Sequence, residues 1–178
     1  MALFGKKKGL IEKKVETIEI DGTVYPKTNF SEVDAKSSVI GSLLQEIIEL
    51  GDIDDYNILM GKSAEKFIKE NIDFIKGISL ISEDDIEKLT IYINNFLKEK
   101  NLGSVKLIIN EEKEKLFIEH INSPFALSLK GVIDEKVCVF LSSFYSRLFS
   151  EIFEEEVSFK EIKCYCQGGD SCVFEMVR

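Results

Sequence analysis

Hydrophobic residues in the first half of the chain recur at helical spacing. Apolar side chains three or four residues apart share one face of an α-helix, so the pattern predicts one helix over Asn29–Gly51 and a second over about Tyr56–Asn71. A third helix is predicted to begin at Ser82, whose hydroxyl would serve as the N-cap ahead of an acidic first turn, and to end near Gly103.

Beyond the third predicted helix the hydrophobic period changes from about 3.6 to 2, which is the alternation of a half-buried strand. Val105–Ile109 and Leu116–His120 both alternate and are joined by polar residues, which predicts an antiparallel hairpin. A long helix is predicted from about Lys136–Phe153. A further hairpin closes the chain, with its strands at Val157–Cys166 and Cys172–Val177.

A small hairpin is also predicted near the N-terminus. Val15–Ile20 and Thr23–Tyr25 flank Asp21 and Gly22, and glycine accepts the positive φ that such turns need. Residues 122–134, which include a proline and a glycine, fit neither period and are predicted to be irregular.

These elements add up to an α+β fold. N-terminal helices are followed by an antiparallel sheet of about four strands, and one long helix interrupts that sheet. The length of 178 residues is enough for one domain with a short arm. We therefore expect residues 1–28 to form an N-terminal arm and hairpin, and residues 29–178 to form the main domain.

Composition and charge exclude several functional classes. The chain has 23 Lys and Arg against 32 Asp and Glu, a net charge of −9, which argues against a nucleic-acid partner. No apolar run approaches the about 20 residues of a membrane span, and no signal-peptide core is present, so we expect a cytoplasmic protein. The basic residues near Lys6–Lys14 predict a solvated arm or a weak contact with an anionic surface. Abundant Lys, Glu and Ile with little Gln is typical of heat-adapted proteins.

Three of the four cysteines fall in the closing hairpin. If its turn centres on Gly168, Cys164 lies opposite Cys172, with Cβ atoms about 4.5–5.5 Å apart. Cys166 shares a strand face with Cys164, and Cys138 falls in the first turn of the long helix. From spacing alone, three interpretations stay open: a structural zinc site, a Cys164–Cys172 disulfide, or four inert buried thiols.

The closing hairpin also carries a family resemblance. It resembles the signature of the 4-vinyl reductase domain family, Glu-x2-Cys-x-Ala-x-Gly-x3-Cys-x-Phe, and reads here Glu161-Ile162-Lys163-Cys164-Tyr165-Cys166-Gln167-Gly168-Gly169-Asp170-Ser171-Cys172-Val173-Phe174. Two upstream segments are similar to family segments as well, Asn122-Ser123-Pro124-Phe125-Ala126 and Val137-Cys138-Val139-Phe140. The resemblance covers about residues 30–178 and is most specific near the C-terminus.

The resemblance implies a fold shared with TRAPP-like tethering domains and haem nitric-oxide-binding-associated domains, and a homodimer. It implies a hydrocarbon-binding domain in which Zn²⁺ is held by Cys138, Glu161, Cys164 and Cys172. The sequence departs from the signature at Cys166, where the family usually has a small residue, and this thiol is an alternative ligand. The chain has no Trp, so the specificity of the family's phenol sensors is not carried over.

A ligand pocket is expected beside the long helix. The candidate lining residues are Phe140, Phe144 and Leu148, with His120 as a polar anchor. Each also has a plainer interpretation, because ring-rich helices and single histidines are usually part of the core.

Three function classes follow. The first is a domain that binds or senses an apolar small molecule, contains a structural zinc, and passes its output to a regulatory partner protein. The second is a scaffold without a ligand. The third is a reductase of vinyl groups, as the family name implies. A reductase needs an electron donor, and no nicotinamide or flavin fingerprint is readable in the sequence, so an enzyme is the less favoured class.

Overall fold

The computed structural model describes residues 17–20, 23–26, 39–82, 85–110 and 115–177. Its helices are α1 (Val39–Leu50), α2 (Ile53–Glu70), α3 (Ile72–Ile78), α4 (Ile86–Glu99), α5 (Pro124–Leu129) and α6 (Val139–Phe153). Its strands are β1 (Thr17–Ile20), β2 (Thr23–Pro26), β3 (Ser104–Asn110), β4 (Lys115–Ile121), β5 (Ser158–Lys163) and β6 (Cys172–Val177).

The strands form two antiparallel sheets. β1 and β2 pair with each other, and the main sheet has the order β3-β4-β6-β5. Because β4 and β6 are neighbours, the long helix α6 leaves the sheet after β4 and returns the chain to its far edge at β5. The α+β fold with helices first and one long helix interrupting the sheet is confirmed.

Helix ends follow capping chemistry, with one correction. α1 ends at Leu50 as predicted, and the Gly51 N–H donates to Ile47 O at 3.0 Å. The expected N-cap at Ser82 is wrong: α4 begins one turn later, and the Asp85 carboxylate accepts the Lys88 N–H at 3.2 Å. A carboxylate at this position also complements the helix dipole, so Asp85 is the better cap.

A short helix lies inside the segment predicted to be irregular. α5 begins at Pro124, whose ring presets φ for the first turn, and Ser123 Oγ accepts the Ala126 N–H at 3.4 Å. The segment before α6 is non-helical up to Cys138, so Cys138 is the N-cap residue of α6 and not part of its first turn.

The core lies on both sides of α6. This helix packs against α2 and α3 on one side and against β5 on the other. Most of its apolar side chains are buried, among them Leu141, Phe144, Tyr145, Leu148 and Phe149, each with 0% exposure. A helix buried on two sides needs apolar residues on more than one stripe, which explains its high ring content.

Several predictions fall on positions that the structure does not describe. They include the turn at Asp21-Gly22, the start of the first helix at Asn29, and the boundary between residues 28 and 29. In the described part of the chain, no helix is both long and apolar enough to cross a membrane.

Candidate metal centre

Four donor side chains converge from different parts of the second half of the chain. Cys138 precedes α6, Glu161 lies in β5, Cys164 follows β5 directly, and Cys172 opens β6. The closing hairpin therefore supplies three of the donors, and the start of α6 supplies the fourth.

The hairpin register explains why Glu161 and Cys164 meet. Glu161 pairs with Phe174 while Lys163 pairs with Val173, so one extra residue is inserted between these two pairs. On a regular strand, residues three apart point to opposite faces, and the bulge removes this obstacle. The sequence required a bulge at Ile162–Lys163, and the register confirms it.

The donor atoms are spaced for a small cation. Cys138 Sγ lies 3.5 Å from Cys172 Sγ, and Cys172 Sγ lies 3.9 Å from Cys164 Sγ. These sulfurs and a Glu161 carboxylate oxygen all lie within 4.8 Å of one another, and the four residues are buried. Sulfurs bound to a tetrahedral zinc at about 2.3 Å lie about 3.8 Å apart, so the observed separations match. All four cysteines are free thiols, without a Cys164–Cys172 disulfide.

The Glu161 carboxylate has one satisfied oxygen and one unsatisfied oxygen. Its Oε2 accepts the Cys138 N–H at 3.0 Å, whereas Oε1 is buried with no hydrogen-bond partner. A buried polar atom without a partner costs about 1–3 kcal/mol, more when it is charged. A bound cation would supply the missing partner, so the residues present fit a metal ion.

The electrostatics of the donor group show that it holds protons that a cation would displace. Burial, and then the negative charge at Cys164, raise the pKa of Glu161 to about 8. Burial likewise raises the pKa of the Cys138 thiol well above its usual value. Hydrogen bonds from Cys138, Cys166 and Cys172 lower the pKa of Cys164, which makes this sulfur the thiolate of the group. A divalent cation would stabilise the deprotonated forms of the others.

Groups around the donors hold them in place, and the sequence pattern indicated few of them. Ser123 Oγ lies 3.4 Å from Cys138 Sγ, and the Tyr165 N–H donates to Cys172 Sγ at 3.4 Å. The Tyr56 hydroxyl, from α2, donates to Val137 O at 2.9 Å. Ser123 belongs to one of the resembling segments, but Tyr56 is 81 residues away in sequence from its partner and no local pattern connects them.

Cys166 lies next to this group of four without belonging to it. The sequence placed it on a strand, but it lies in a short 3₁₀ turn, Tyr165–Gln167, and its side chain is buried. Its thiol donates to Ala126 O at 3.2 Å and also hydrogen-bonds the Cys164 sulfur.

His120 is fully buried, and both of its ring nitrogens have protein partners. Nε2 lies 2.7 Å from Leu102 O, and since a carbonyl only accepts, Nε2 carries the proton. Nδ1 then accepts from the Tyr145 hydroxyl. Burial lowers the pKa of His120 to about 4, so the ring is neutral near pH 7.

The other pocket candidates lie in an aromatic cluster formed by rings of α2, α3, α4, α5 and α6. Phe144 and Leu148 are fully buried and Phe140 is 6% exposed. Phe144 stacks at 5.9 Å from Phe96, and Phe140 contacts Phe67 at 5.4 Å and Phe125 at 4.9 Å between ring centroids. Phe74 of α3 lies over Phe96 at 3.7 Å. An open groove elsewhere, along α2 and α6, is lined by polar residues such as Ser146 and Arg147 and does not include these rings.

Comparison with known families supports the signature in the closing hairpin. Residues 117–178, which contain all four donors, match the family model of the 4-vinyl reductase domain. Over these residues the chain carries a 4-vinyl reductase domain. This match confirms the family resemblance of the closing hairpin.

One curated relative and two solved structures are similar to the chain. An uncharacterized protein of Methanocaldococcus jannaschii is 29% identical over 84 residues, which are 47% of this chain and 44% of that protein. The matched part thus spans less than half of that relative. The phenol-responsive sensory domain of the transcription activator PoxR, solved with phenol, aligns with a TM-score of 0.59 and 14% identity, over 90% of this chain and 79% of that one.

The second solved structure is a vinyl-4-reductase family protein of M. jannaschii. It aligns with a TM-score of 0.43 and 19% identity, over 82% of this chain and 87% of that one. The similarity to the PoxR domain establishes that the chain shares the fold of that sensory domain. The donor cluster within that fold can hold a metal ion.

Proposed function

We propose that the chain is a domain that binds an apolar or aromatic small molecule and contains a structural Zn²⁺ ion. The domain comprises residues 29–178, with residues 1–28 as an arm. The observation that carries this proposal is the buried donor group of Cys138, Glu161, Cys164 and Cys172, in which Glu161 Oε1 has no partner.

The donor types favour zinc in a structural role. Three thiolates and one carboxylate suit a borderline-soft ion that accepts tetrahedral sites. Four protein ligands leave no position for water or substrate, so the ion would supply cross-linking and not Lewis-acid catalysis. The chain's own residues set up this cross-link: the Cys138 N–H orients Glu161, and the bulge brings Glu161 beside Cys164.

The metal would connect the core to the closing hairpin. Cys138 precedes α6, the helix that carries the candidate pocket residues Phe140, Phe144 and Leu148. Holding this end of α6 fixes the wall against which a ligand would bind. The similarity in fold to a phenol-responsive sensory domain supports an aromatic or apolar ligand, and the buried imidazole of His120 is the polar group that we propose as its anchor.

Binding requires the aromatic cluster to open. Phe74 on the short helix α3 is stacked on Phe96, so a ligand of similar shape would enter by displacing that ring. We propose that the ligand-bound domain acts as a homodimer and passes its state to a regulatory protein partner.

A scaffold without a ligand is the second candidate. The observation that favours it is the close packing of Phe144 and Leu148, which have no exposed surface. In that case the rings are simply the core, and the chain's function lies on its surface.

Native mass spectrometry of the full chain, purified under reducing conditions, tests both halves of the proposal. We expect a dimer with one zinc ion per chain and an apolar molecule that is released on denaturation. A chain that takes up no Zn²⁺ when the ion is added contradicts the metal centre. A zinc-loaded chain that shows no bound molecule, and no thermal shift with benzene, phenol or longer hydrocarbons, favours the scaffold.

A further inference from the structure

We propose that Cys166 is a reserve ligand of the metal centre. It would replace Glu161 and convert a site of three sulfurs and one oxygen into a site of four sulfurs, suited to a soft cation. This inference rests on the proposed metal centre and adds a second coordination state to it.

The position of Cys166 is the first argument. Its side chain is 8% exposed, and its thiol hydrogen-bonds the sulfur of Cys164, which is a member of the donor group. A thiol in contact with one ligand sulfur already has one of the neighbours that a fourth tetrahedral ligand requires. Its other partner is the carbonyl of Ala126 at 3.2 Å, and a thiol is a weak donor, so little is lost when that contact breaks.

Glu161 is the ligand that can leave. Its Oε2 accepts the backbone N–H of Cys138 at 3.0 Å, and this hydrogen bond does not depend on a metal. A carboxyl group displaced from the ion therefore keeps a partner. Glu161 also supplies the oxygen in a group of three sulfurs, so a soft ion holds it less firmly than it holds the thiolates.

The turn that carries Cys166 has room to adjust. The Gln167 N–H donates to Cys164 O at 3.1 Å, and the Gly168 N–H donates to Tyr165 O at 3.2 Å, so the turn is compact. Gly168 has φ 82°, and a Cβ placed there would meet no atom within 4 Å. The outer side of the turn is thus open, and a small shift toward the metal displaces nothing.

The exchange conserves charge and protons. The bond between the metal and the Glu161 oxygen breaks, a bond between the metal and Cys166 sulfur forms, and the thiol proton of Cys166 passes to the Glu161 carboxylate. Thiolate is the softer donor, so soft ions such as Cd²⁺ favour the four-sulfur state, while Zn²⁺ accepts either.

The test compares the full chain with Glu161→Ala, Cys166→Ala and the double variant. Glu119→Ala is the matched control, because Glu119 is an acid of the adjacent strand β4 that contacts Ser171 and not the donor group. Each protein is loaded with Zn²⁺, separated from free metal and assayed for bound ion. The Cd²⁺ forms are then examined by cadmium NMR, whose chemical shift reports the number of sulfur ligands.

We expect Glu161→Ala to keep its metal and to show a four-sulfur cadmium signal, and the double variant to bind at least about 100-fold more weakly. The proposal is overturned if Glu161→Ala loses metal as completely as the double variant while the unmodified chain and Cys166→Ala hold zinc. That outcome leaves the metal centre itself intact. An unmodified chain that binds no zinc overturns the centre instead.

A second measurement keeps the test decisive if Glu161→Ala does not fold. The Cd²⁺ form of the unmodified chain is compared with that of Cys166→Ala. One additional sulfur ligand in the unmodified chain supports the reserve ligand, and identical cadmium spectra overturn it.

Discussion

The two ends of α6 are stabilised in different ways. At its N-terminus, the donor group of Cys138, Glu161, Cys164 and Cys172 is buried with polar atoms close together and one carboxylate oxygen without a partner. Along its length, rings such as Phe144 and Phe149 pack against other rings with no exposed surface. The first region is completed only by a cation, whereas the second is complete in the chain itself.

The difference shows which part of the fold depends on its surroundings. Apolar burial stabilises the aromatic cluster whether or not metal is present, at about 25 cal/mol per Å² of buried apolar surface. The donor cluster depends on metal supply and on reducing conditions, because its thiols are ligands only when free. The following experiments separate these two contributions.

The largest effect is expected from removing a donor. Cys172→Ala should lose the metal and at least about 5 kcal/mol of unfolding free energy in zinc-containing buffer, since metal affinity becomes folding free energy. Urea denaturation with and without a chelator measures it. The variant should no longer respond to the chelator, and Cys166→Ala, the control thiol, should still respond. Equal chelator response in Cys172→Ala would contradict the assignment.

A ring deletion tests the other region. Phe144→Ala should cost about 3–5 kcal/mol, because a fully buried ring leaves a cavity. Its cost should be the same with and without chelator, as measured by urea denaturation. A cost that changes with chelation would show that the aromatic cluster and the metal centre are coupled, and that the two regions are not independent.

Acid should weaken the fold through His120. Its pKa is about 4 in the folded protein, against about 6.5 in an unfolded chain, so the unfolded state binds a proton that the folded state does not. Stability is therefore lost as pH falls from about 6.5 toward 4, by up to about 3 kcal/mol. Denaturation of chelator-treated protein across this range should show a shallower pH dependence in His120→Gln. Parallel curves would argue against a buried neutral ring.

The smallest effect is expected at the contact between the two regions. Tyr56→Phe removes the hydrogen bond to Val137 O, next to Cys138, and should cost about 1–2 kcal/mol. If this bond also positions Cys138, zinc affinity should fall in parallel, which competition with a chromophoric chelator measures. Unchanged affinity would limit Tyr56 to a structural role.

The sequence predicted those features that depend on local spacing. The centre of the closing turn, the pairing side of Cys164 and Cys172, and the bulge before Cys164 follow from counting residues along a hairpin. The helices α1, α2, α4 and α6 follow from hydrophobic period, although their first residues shift by a few positions.

Other features depend on contacts between distant residues, and these could not be predicted. The helix α5 is short, and its start depends on Ser123 capping next to Pro124, a signal that also fits a loop. The burial of His120 follows from partners 18 and 25 residues away, Leu102 and Tyr145. The 3₁₀ turn moved Cys166 off the strand because the turn begins directly after Cys164.

The bulge in β5 makes the number of residues at this point more important than their identity. Ile162 is 40% exposed and Lys163 is exposed as well, so neither side chain is needed by the core. Many residues can replace them, but deleting either one would turn Glu161 to the opposite face of the sheet. In a set of related sequences, this site would be recognised by a fixed length between Glu161 and Cys164 more readily than by any residue inside that interval.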